Sequence, residues 1–275
     1  QGWVFSVALD RRHWGTGVLI GPDLALTNYH VIASLLGEGR PLAGTAGRLR
    51  ARFDYVSEAA PSRRFDLAED WLVAYSPHHP LDCVEGEHDG SEFVEALDYA
   101  VLRLNDAAGQ TTAPGQSSPR GWFGLGECTL EPTHASKVHV FGHPHGRPLL
   151  CDAGRVTWMN GNGTRMRYRL NTTHGVSGGP CVDVEMGLIA LHSSGDPAAL
   201  GAGRRPEWNQ GVPIRAIADK LREQSLGELC LMPYEDVGLL TCVSPREPVL
   251  DRETLQRPAP ATCGRTGPRA LPADG

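Results

Sequence analysis

Short hydrophobic runs, rich in Val, Leu, Ile and aromatic residues, recur along most of this chain and are separated by Gly, Pro, Asn and Asp. This pattern predicts strands and turns rather than long helices. A first series of runs comprises Trp3–Leu9, Gly17–Ile20, Leu24–Thr27, Leu49–Val56, Trp71–Tyr75 and Tyr99–Leu104. A second series comprises Val138–Gly142, Leu149–Ala153, Arg155–Met159, Met166–Leu170, Pro180–Val184, Leu188–His192 and Gln210–Val212. Many short strands at such spacing are typical of a β-barrel or a β-sandwich.

A stretch rich in Gly, Pro and Ser, from Ala107 to Gly126, separates the two series and predicts two β-units, over about residues 1–106 and 127–225. After the last strand, Pro213 suits the first turn of a helix, where its missing N–H is not needed. The apolar residues that follow have helical spacing and predict one buried helix face: Ile214, Ile217, Ala218 and Leu221. Residues 226–275 accumulate prolines without periodicity, which predicts a Pro-rich extension or linker.

Three polar motifs accompany these strands, in the order His, Asp, Ser. T-N-Y-H ends at His30, D-Y-A-V-L-R-L begins at Asp98, and H-G-V-S-G-G-P is centred on Ser177. A serine hydroxyl is a weak nucleophile at neutral pH, so it needs a base to take its proton and a carboxylate to orient that base. The three motifs supply these groups. Five rival carboxylates lie in more polar contexts, which predict solvated surface positions: Asp66, Asp70, Asp82, Asp89 and Asp106.

With these motifs the chain resembles the chymotrypsin-fold, trypsin-like serine proteases over about residues 1–225, and among them bacterial trypsin-like peptidase domains. The resemblance implies an all-β fold of two six-stranded antiparallel β-barrels with a C-terminal helix, and an active site between the barrels. It implies that His30 is the general base, that Asp98 orients it and that Ser177 is the nucleophile. The backbone N–H groups of Gly175 and Ser177 would form the oxyanion hole.

Residues at fixed offsets from Ser177 predict the substrate preference. Asn171 stands where trypsin has its pocket aspartate, so cleavage after Lys or Arg lacks its main electrostatic support. Thr172 and His192 stand at the offsets of the pocket threonine and histidine of the staphylococcal glutamyl endopeptidase, and picornaviral chymotrypsin-like proteases use similar residues to hold glutamine. Both side chains can donate to a carboxylate or amide oxygen. We therefore expect Glu or Gln before the scissile bond; the alternative is that His192 is only a satisfied strand histidine.

The same resemblance assigns further contacts and reveals departures. The segment from Ser193 to Gly195 would pair with the substrate backbone as an added strand. His174 has no counterpart in the glutamyl endopeptidase motif, and we expect it to narrow the pocket or to contact substrate. Val176 replaces the aspartate that pairs with a new N-terminus in trypsin-like zymogens, so activation by that salt bridge is not expected.

A group of four histidines raises the alternative of a metal site: His134, His139, His143 and His145. However, Gly142, Pro144 and Gly146 interrupt the group, which predicts a loop at the first hairpin of the second β-unit. Neither H-E-x-x-H nor a paired C-x-x-C accompanies it. We expect neither a metal nor another cofactor.

A second alternative is a latent or pseudoprotease module that binds peptides in its cleft and becomes active only when a partner orders the oxyanion loop. None of the three motif residues is lost, which favours the enzyme. Its partner would be a protein or peptide substrate. The chain begins with Gln1 rather than Met, which is consistent with a processed chain or with a module fused to regulatory domains.

Composition narrows the remaining classes. The formal net charge is −6 and the arginines are scattered, which disfavours nucleic acid as a partner. No apolar run reaches the roughly 18 residues of a membrane span. The seven cysteines are an odd number without C-x-x-C spacing, a poor disulfide framework that predicts a reducing, cytoplasmic location. The alternative is a secreted protein whose signal peptide has been removed.

Overall fold

A computed structural model describes residues 2–230 except 11, 85, 87, 128–131 and 200–204. The expected Pro-rich extension lies outside the described residues from position 231 onward, so its character stays a prediction. No helix among the described residues is long and apolar enough to cross a membrane.

The first half of the chain forms one closed antiparallel barrel. Its elements are, in chain order, β1 (Val4–Leu9), β2 (Arg12–Leu19), β3 (Leu24–Thr27), α1 (Tyr29–Ile32), β4 (Leu36–Gly37), β5 (Arg40–Pro41), β6 (Leu49–Phe53), β7 (Arg63–Ser76) and β8 (Tyr99–Leu104). The barrel order is β1-β2-β3-β8-β7-β6, while β4 and β5 form a separate ribbon that the sequence pattern did not predict. Strand alternation builds the core: Leu49, Ala51 and Phe53 of β6 are buried, whereas the intervening Arg50 is exposed.

The second half forms another closed antiparallel barrel. Its elements are β9 (Lys137–Gly142), β10 (Leu150–Met159), β11 (Met166–Arg169), β12 (Pro180–Val182), β13 (Leu188–Gly195), β14 (Asn209–Pro213) and α2 (Ile214–Glu223). The strand order is β10-β11-β14-β13-β12-β9. The sequence predicted two strands where β10 is continuous. Gly154 lies between them, and its function is close approach rather than a turn, because a Cβ there would lie 1.8 Å from the Arg169 carbonyl oxygen.

Two six-stranded barrels and a C-terminal helix confirm the predicted fold. The helix α2 buries the four apolar residues named from the sequence, and Pro213 serves as its N-cap. One hydrophobic cluster includes residues of both barrels, such as Val18 and Tyr99 from the first and Leu191 and Val212 from the second. This shared core fixes the barrels against each other and thereby positions groups that lie where they meet.

Candidate active site

His30 and Asp98 meet at the ends of two paired strands of the first barrel. His30 lies in α1, directly after β3, and Asp98 directly precedes β8, the strand that pairs with β3. His30 Nδ1 lies 2.8 Å from Asp98 Oδ2. The His30 backbone N–H donates to Asp98 Oδ1 at 3.0 Å. One carboxylate therefore holds both the ring and the backbone of His30.

Asp98 is itself tightly constrained. Its φ of +48° lies in the left-handed region, which costs energy for residues other than glycine, although Asp tolerates it better than most. Its N–H donates to the Pro77 carbonyl at 2.9 Å, and its carbonyl oxygen accepts from Asn28 Nδ2 at 2.8 Å. Oδ2 also accepts a hydrogen bond of 2.7 Å from the Ser193 hydroxyl. These bonds hold the carboxylate, which is 1% exposed, in one orientation.

The pKa of His30 is raised above its ordinary value of 6.5. Burial of the ring is the largest influence and opposes protonation, but the charge and hydrogen bond of Asp98, with the charge of Asp82, outweigh it. The side chain remains 35% exposed, so a reactant can reach the ring. The site therefore stabilises the imidazolium form that arises when this histidine takes a proton.

The Ser177 loop depends on glycines that cannot be replaced without displacement. Gly175 has a φ of +96°, and a Cβ there would lie 2.6 Å from the His143 carbonyl oxygen. Gly178 has a φ of +82°, and a Cβ there would lie 2.1 Å from the Thr16 carbonyl oxygen. Because both positions are left-handed and crowded by backbone, the conformation of the loop requires glycine.

Thr16, on β2 of the first barrel, ties this loop of the second barrel in place. Its N–H donates to the Ser177 carbonyl at 2.8 Å, and its hydroxyl donates to the Gly175 carbonyl at 2.7 Å. Among the described residues, the N–H groups of Gly175 and Ser177 donate no hydrogen bond. The two backbone donors predicted for an oxyanion hole are thus available.

The Ser177 hydroxyl donates to the Ser193 carbonyl oxygen at 3.4 Å. Within the described part of the chain it forms no hydrogen bond with His30. Ser193 nevertheless connects the three predicted residues, since its carbonyl contacts Ser177 while its hydroxyl contacts Asp98. The three motifs, far apart in the sequence, therefore lie in one hydrogen-bonded group.

His192 is a buried ring with a defined partner. It is 4% exposed, and its Nδ1 lies 2.6 Å from the Tyr168 hydroxyl. That hydroxyl also contacts Cys181 Sγ at 3.3 Å. Burial, with a smaller effect of the charge of His30, lowers the pKa of His192 to about 3. The ring is therefore neutral at pH 7, and Nε2 is the nitrogen left for a further partner.

Asn171 and Thr172 line an open groove of about 930 Å³ beside β10, and His192 is not among its lining residues. The Thr172 hydroxyl donates to Asn209 Oδ1, while the Asn171 N–H donates to Asp152 Oδ2 at 2.7 Å. Within the described part of the chain no hydrogen bond joins Thr172 and His192, and each is bonded to a different partner.

The other predicted substrate contacts take distinct positions. His174 is exposed, and its ring centroid lies 6.2 Å from that of His145. Ser193 is buried at the end of β13, whereas Gly195 is half-buried. The Ser194 hydroxyl between them donates to the Asp82 carbonyl at 2.9 Å.

The sequence interpretation of Asp82 as a solvated surface residue is wrong. Asp82 is 3% exposed and forms an ion pair with the fully buried Arg165. Gln210 Nε2 donates to its carboxylate at 3.0 Å. The polar composition of the neighbouring segment concealed this, because a buried carboxylate is recognised only by partners from distant strands.

The histidine group does not converge. The His143 Nδ1 lies 3.0 Å from the Arg147 carbonyl oxygen, and its ring stacks on Tyr55. His145 Nε2 lies 3.1 Å from the Thr173 hydroxyl. Among the described residues, no three His, Cys, Asp or Glu side chains are placed to hold a metal ion. In the part of the chain that the structure describes, three cysteines are free thiols, of which Cys83 and Cys151 are exposed and Cys181 is buried.

The sequence model of the trypsin-like peptidase domain matches residues 15–191, which contain all three motifs. The chain belongs to this family. The prediction of a trypsin-like serine protease is confirmed at this level. The domain boundaries at residues 1–225 and 226–275 stay predictions.

Two similar proteins share about a quarter of their aligned residues with this chain. A Lysobacter enzymogenes protein described as a probable serine protease is 26% identical over 74% of this chain and 30% of its own length. A Staphylococcus aureus glutamyl endopeptidase is 23% identical over 66% of this chain and 43% of its own length. The chain thus spans less than half the length of either relative.

Solved structures share the fold. The serine endoprotease from Yersinia pestis superposes with a TM-score of 0.52 and 17% identity, over 82% of this chain and 63% of that one. The protease domain of MamO from Magnetospirillum magneticum gives a TM-score of 0.50 and 14% identity, over 80% of this chain and 96% of that one. At these identities the likeness concerns the fold alone.

Several functional contacts of this trypsin-like domain were not predicted. Asn28 lies within the T-N-Y-H motif, so its position was a usable signal for a structural role, whereas Thr16 lies outside the three motifs. Tyr168 and Asp82 carried none, because their partners are far away in the sequence.

Proposed function

We propose that this domain is a serine endopeptidase in which His30, Asp98 and Ser177 act as a catalytic triad. The observation that carries the proposal is the bonded group itself: Asp98 orients His30 at 2.8 Å and is joined to Ser177 through Ser193. Family membership supports the same chemistry.

The proposed reaction begins with a rotation of the Ser177 hydroxyl from the Ser193 carbonyl towards His30. Ser177 Oγ then bonds to the substrate carbonyl carbon while His30 Nε2 takes its proton. His30 gives that proton to the amine as the C–N bond breaks, and water releases the acyl group by the same route.

The N–H groups of Gly175 and Ser177 would stabilise the oxyanion formed in each step. Their availability supports this role, since donors already bonded within the protein would have to be released first. Removal of one such donor typically costs about 100-fold or more in rate.

We further propose that the domain prefers Glu or Gln before the scissile bond, with His192 as the principal recognition group. The Cys181 thiol has a pKa of about 12 and is protonated at neutral pH. It can donate to the Tyr168 hydroxyl, which in turn can donate to His192 Nδ1. His192 then carries its proton on Nε2 and offers one neutral N–H donor.

A neutral donor suits the amide oxygen of Gln without further charge compensation. A Glu carboxylate would have to be buried against uncharged donors, which is costly. Thr172 can contribute only if its hydroxyl turns away from Asn209. We therefore expect cleavage after Gln to be at least as efficient as after Glu at pH 7.

Cleavage of a defined peptide mixture by the purified chain and by Ser177→Ala, read by mass spectrometry, tests both proposals. Cuts after Gln and Glu that vanish in the variant support them. If the cuts vanish in the variant but show no preference for Gln or Glu, the protease proposal is supported and the proposed role of His192 in recognition is rejected. Cuts that persist in Ser177→Ala reject the triad.

A latent state is the second candidate, because the Ser177 hydroxyl bonds to Ser193 rather than to His30. A fluorophosphonate probe separates the two. Covalent labelling of Ser177 in the isolated chain would show that the serine is a competent nucleophile. If the chain is folded but Ser177 is not labelled, the latent module is favoured.

A further inference from the structure

A groove of about 670 Å³ lies on the outer surface of the first barrel, among β1, β6 and β7. Its walls carry four guanidinium groups: Arg48, Arg50, Arg52 and Arg64. We call these four side chains and the space between them the arginine groove. None of its lining residues belongs to the candidate active site. The chain as a whole is acidic, with a net charge of −6, so this concentration of positive charge is local. The sequence interpretation of the arginines as scattered is wrong for these four, because strand pairing brings them together.

Strand register explains how the groove forms. Because side chains alternate along β6, Arg50 and Arg52 face outward while Leu49, Ala51 and Phe53 enter the core. On the neighbouring β7, Arg64 lies directly opposite Arg52. On the other side, β1 places the small Ala8 opposite Arg50, which leaves room for a ligand above the sheet.

The Arg52–Arg64 pair is unfavourable for the fold itself. Like charges directly opposite each other on neighbouring strands destabilise a sheet. Arg52 is partly compensated, since its Nε donates to Ser62 Oγ at 2.9 Å and its guanidinium lies 3.4 Å from the centre of the Tyr55 ring. The guanidinium of Arg64 forms no hydrogen bond or ion pair with the described residues, although its backbone is part of the β6–β7 ladder. This charge is thus left for an external anion.

The two remaining arginines show how such an anion is held. Arg48 binds the carboxylate of Asp10 through two nitrogens, at 3.0 and 2.6 Å. Arg50 Nε binds Asp66 Oδ1 at 3.0 Å. Two carboxylates thus face four guanidinium groups, and forked, two-point bonding of a carboxylate is the geometry that arginine favours.

We infer that the arginine groove is an exosite for an acidic segment of a protein substrate, a segment that carries several Asp or Glu residues. The inference extends the proposed protease function by giving substrates a second point of attachment. Acidic peptide is favoured over single-stranded nucleic acid because Tyr55, the aromatic ring beside the groove, is 5% exposed and covered by Arg52. Bases therefore have no stacking surface there.

Binding is measured with the full chain carrying Ser177→Ala, so that no hydrolysis is needed. The probe is a fluorescein-labelled peptide of alternating Glu, Asp and Gly, read by fluorescence anisotropy, beside a Gln, Asn and Gly peptide of equal length. We expect the acidic peptide alone to bind, and more weakly as salt rises, because the charges are exposed. Arg52→Gln with Arg64→Gln should raise Kd at least about tenfold. The matched control, Arg215→Gln with Arg222→Gln on α2, should leave Kd unchanged.

A second variant tests whether the arginines are needed for folding rather than for binding. Arg64→Glu would place opposite charges across β6 and β7, so the melting temperature should stay or rise while acidic-peptide binding is lost. Unchanged Kd in the Arg52/Arg64 variant, or loss of binding only together with unfolding, would overturn the exosite. Tighter binding of a single-stranded oligonucleotide of equal charge would also overturn it, in favour of a nucleic-acid site.

Hydrolysis gives an independent readout. If the active chain cleaves a short neutral peptide, the Arg52/Arg64 variant should cleave it at an unchanged rate, but it should lose most of the advantage of the same peptide fused to an acidic segment. If no peptide is cleaved while the anisotropy result holds, the proposed protease function fails and the anion site stands.

Discussion

Asp82 and Arg165 form a buried ion pair that joins the segment preceding Asp98 to the second barrel. Arg165 Nη2 donates to Asp82 Oδ2 at 3.0 Å, and both side chains are at most 3% exposed. Arg165 also donates to the Ala96 carbonyl at 2.6 Å, two residues before Asp98. The pair therefore couples the position of the Asp98 carboxylate to the packing between barrels.

Removal of one partner of this pair should be strongly destabilising. We expect Arg165→Met to lower the free energy of unfolding by about 3–5 kcal/mol, because Asp82 would remain buried and unpaired. Arg165→Met combined with Asp82→Leu should recover part of this loss. Urea denaturation followed by circular dichroism measures both. The exposed Arg222–Asp219 pair is the control, and an equal loss in Arg222→Met would contradict the argument.

The pH profile should report the raised pKa of His30. The base must be neutral to accept a proton, so kcat/KM should rise with pH and reach half its plateau above pH 6.5. Asp98→Asn should lower this midpoint and reduce kcat by about 10⁴-fold. A midpoint well below 6.5 in the unaltered domain would reject His30 as a base stabilised by Asp98.

The same shift has a consequence for stability. Because the folded-state pKa of His30 is raised, its protonation favours the folded state below pH 6.5, and this contribution disappears as pH rises through the folded-state value. The difference in stability between the unaltered chain and His30→Ala should therefore be larger at pH 6 than at pH 9. Thermal unfolding at both pH values measures it, and a reversed difference would contradict the assignment.

Tyr168→Phe should reduce recognition of Gln and Glu without loss of catalysis. Without the hydroxyl, His192 Nδ1 loses its partner at 2.6 Å, and the proton is no longer confined to Nε2. We expect KM for a Gln substrate to rise about tenfold. The rate of hydrolysis of an ester that lacks a Gln or Glu side chain should change little. Tyr99→Phe removes a hydroxyl that bonds Gln224 instead, and serves as the matched control. Equal effects of the two variants would indicate a general packing defect.

Gly175→Ala should abolish most of the activity. The added Cβ would lie 2.6 Å from one backbone oxygen and 2.8 Å from the His145 nitrogen, so the loop must move. Gly163 also has a positive φ, of +69°, but no atom lies within 4 Å of a Cβ there. Gly163→Ala therefore carries the same cost of an alanine at positive φ, but its Cβ displaces no neighbouring atom. We expect at least about 100-fold lower kcat for Gly175→Ala and near-normal kcat for Gly163→Ala.

Local patterns were sufficient for the parts of the fold that depend on local periodicity. Strands β3 and β8 begin and end where the hydrophobic runs do, and α2 buries the face that helical spacing predicted. The motifs around His30, Asp98 and Ser177 were recognisable because loop glycines and flanking strands must occur beside such residues. The ribbon of β4 and β5 was missed because two-residue strands have no periodicity to detect.

The sequence by itself determined two β-units, the helix that follows them and the three residues proposed for catalysis, because each depends on neighbours in the chain. Only the tertiary structure decided that Ser193 connects Ser177 to Asp98, that Tyr168 holds His192, and that Asp82 is buried on Arg165. The same holds for the juxtaposition of Arg52 and Arg64 across two strands. Each of these contacts joins elements that the closure of a barrel or the packing between barrels brings together. The energy of a buried charge, or of two charges that face each other, depends on this spatial partner rather than on adjacent residues in the chain.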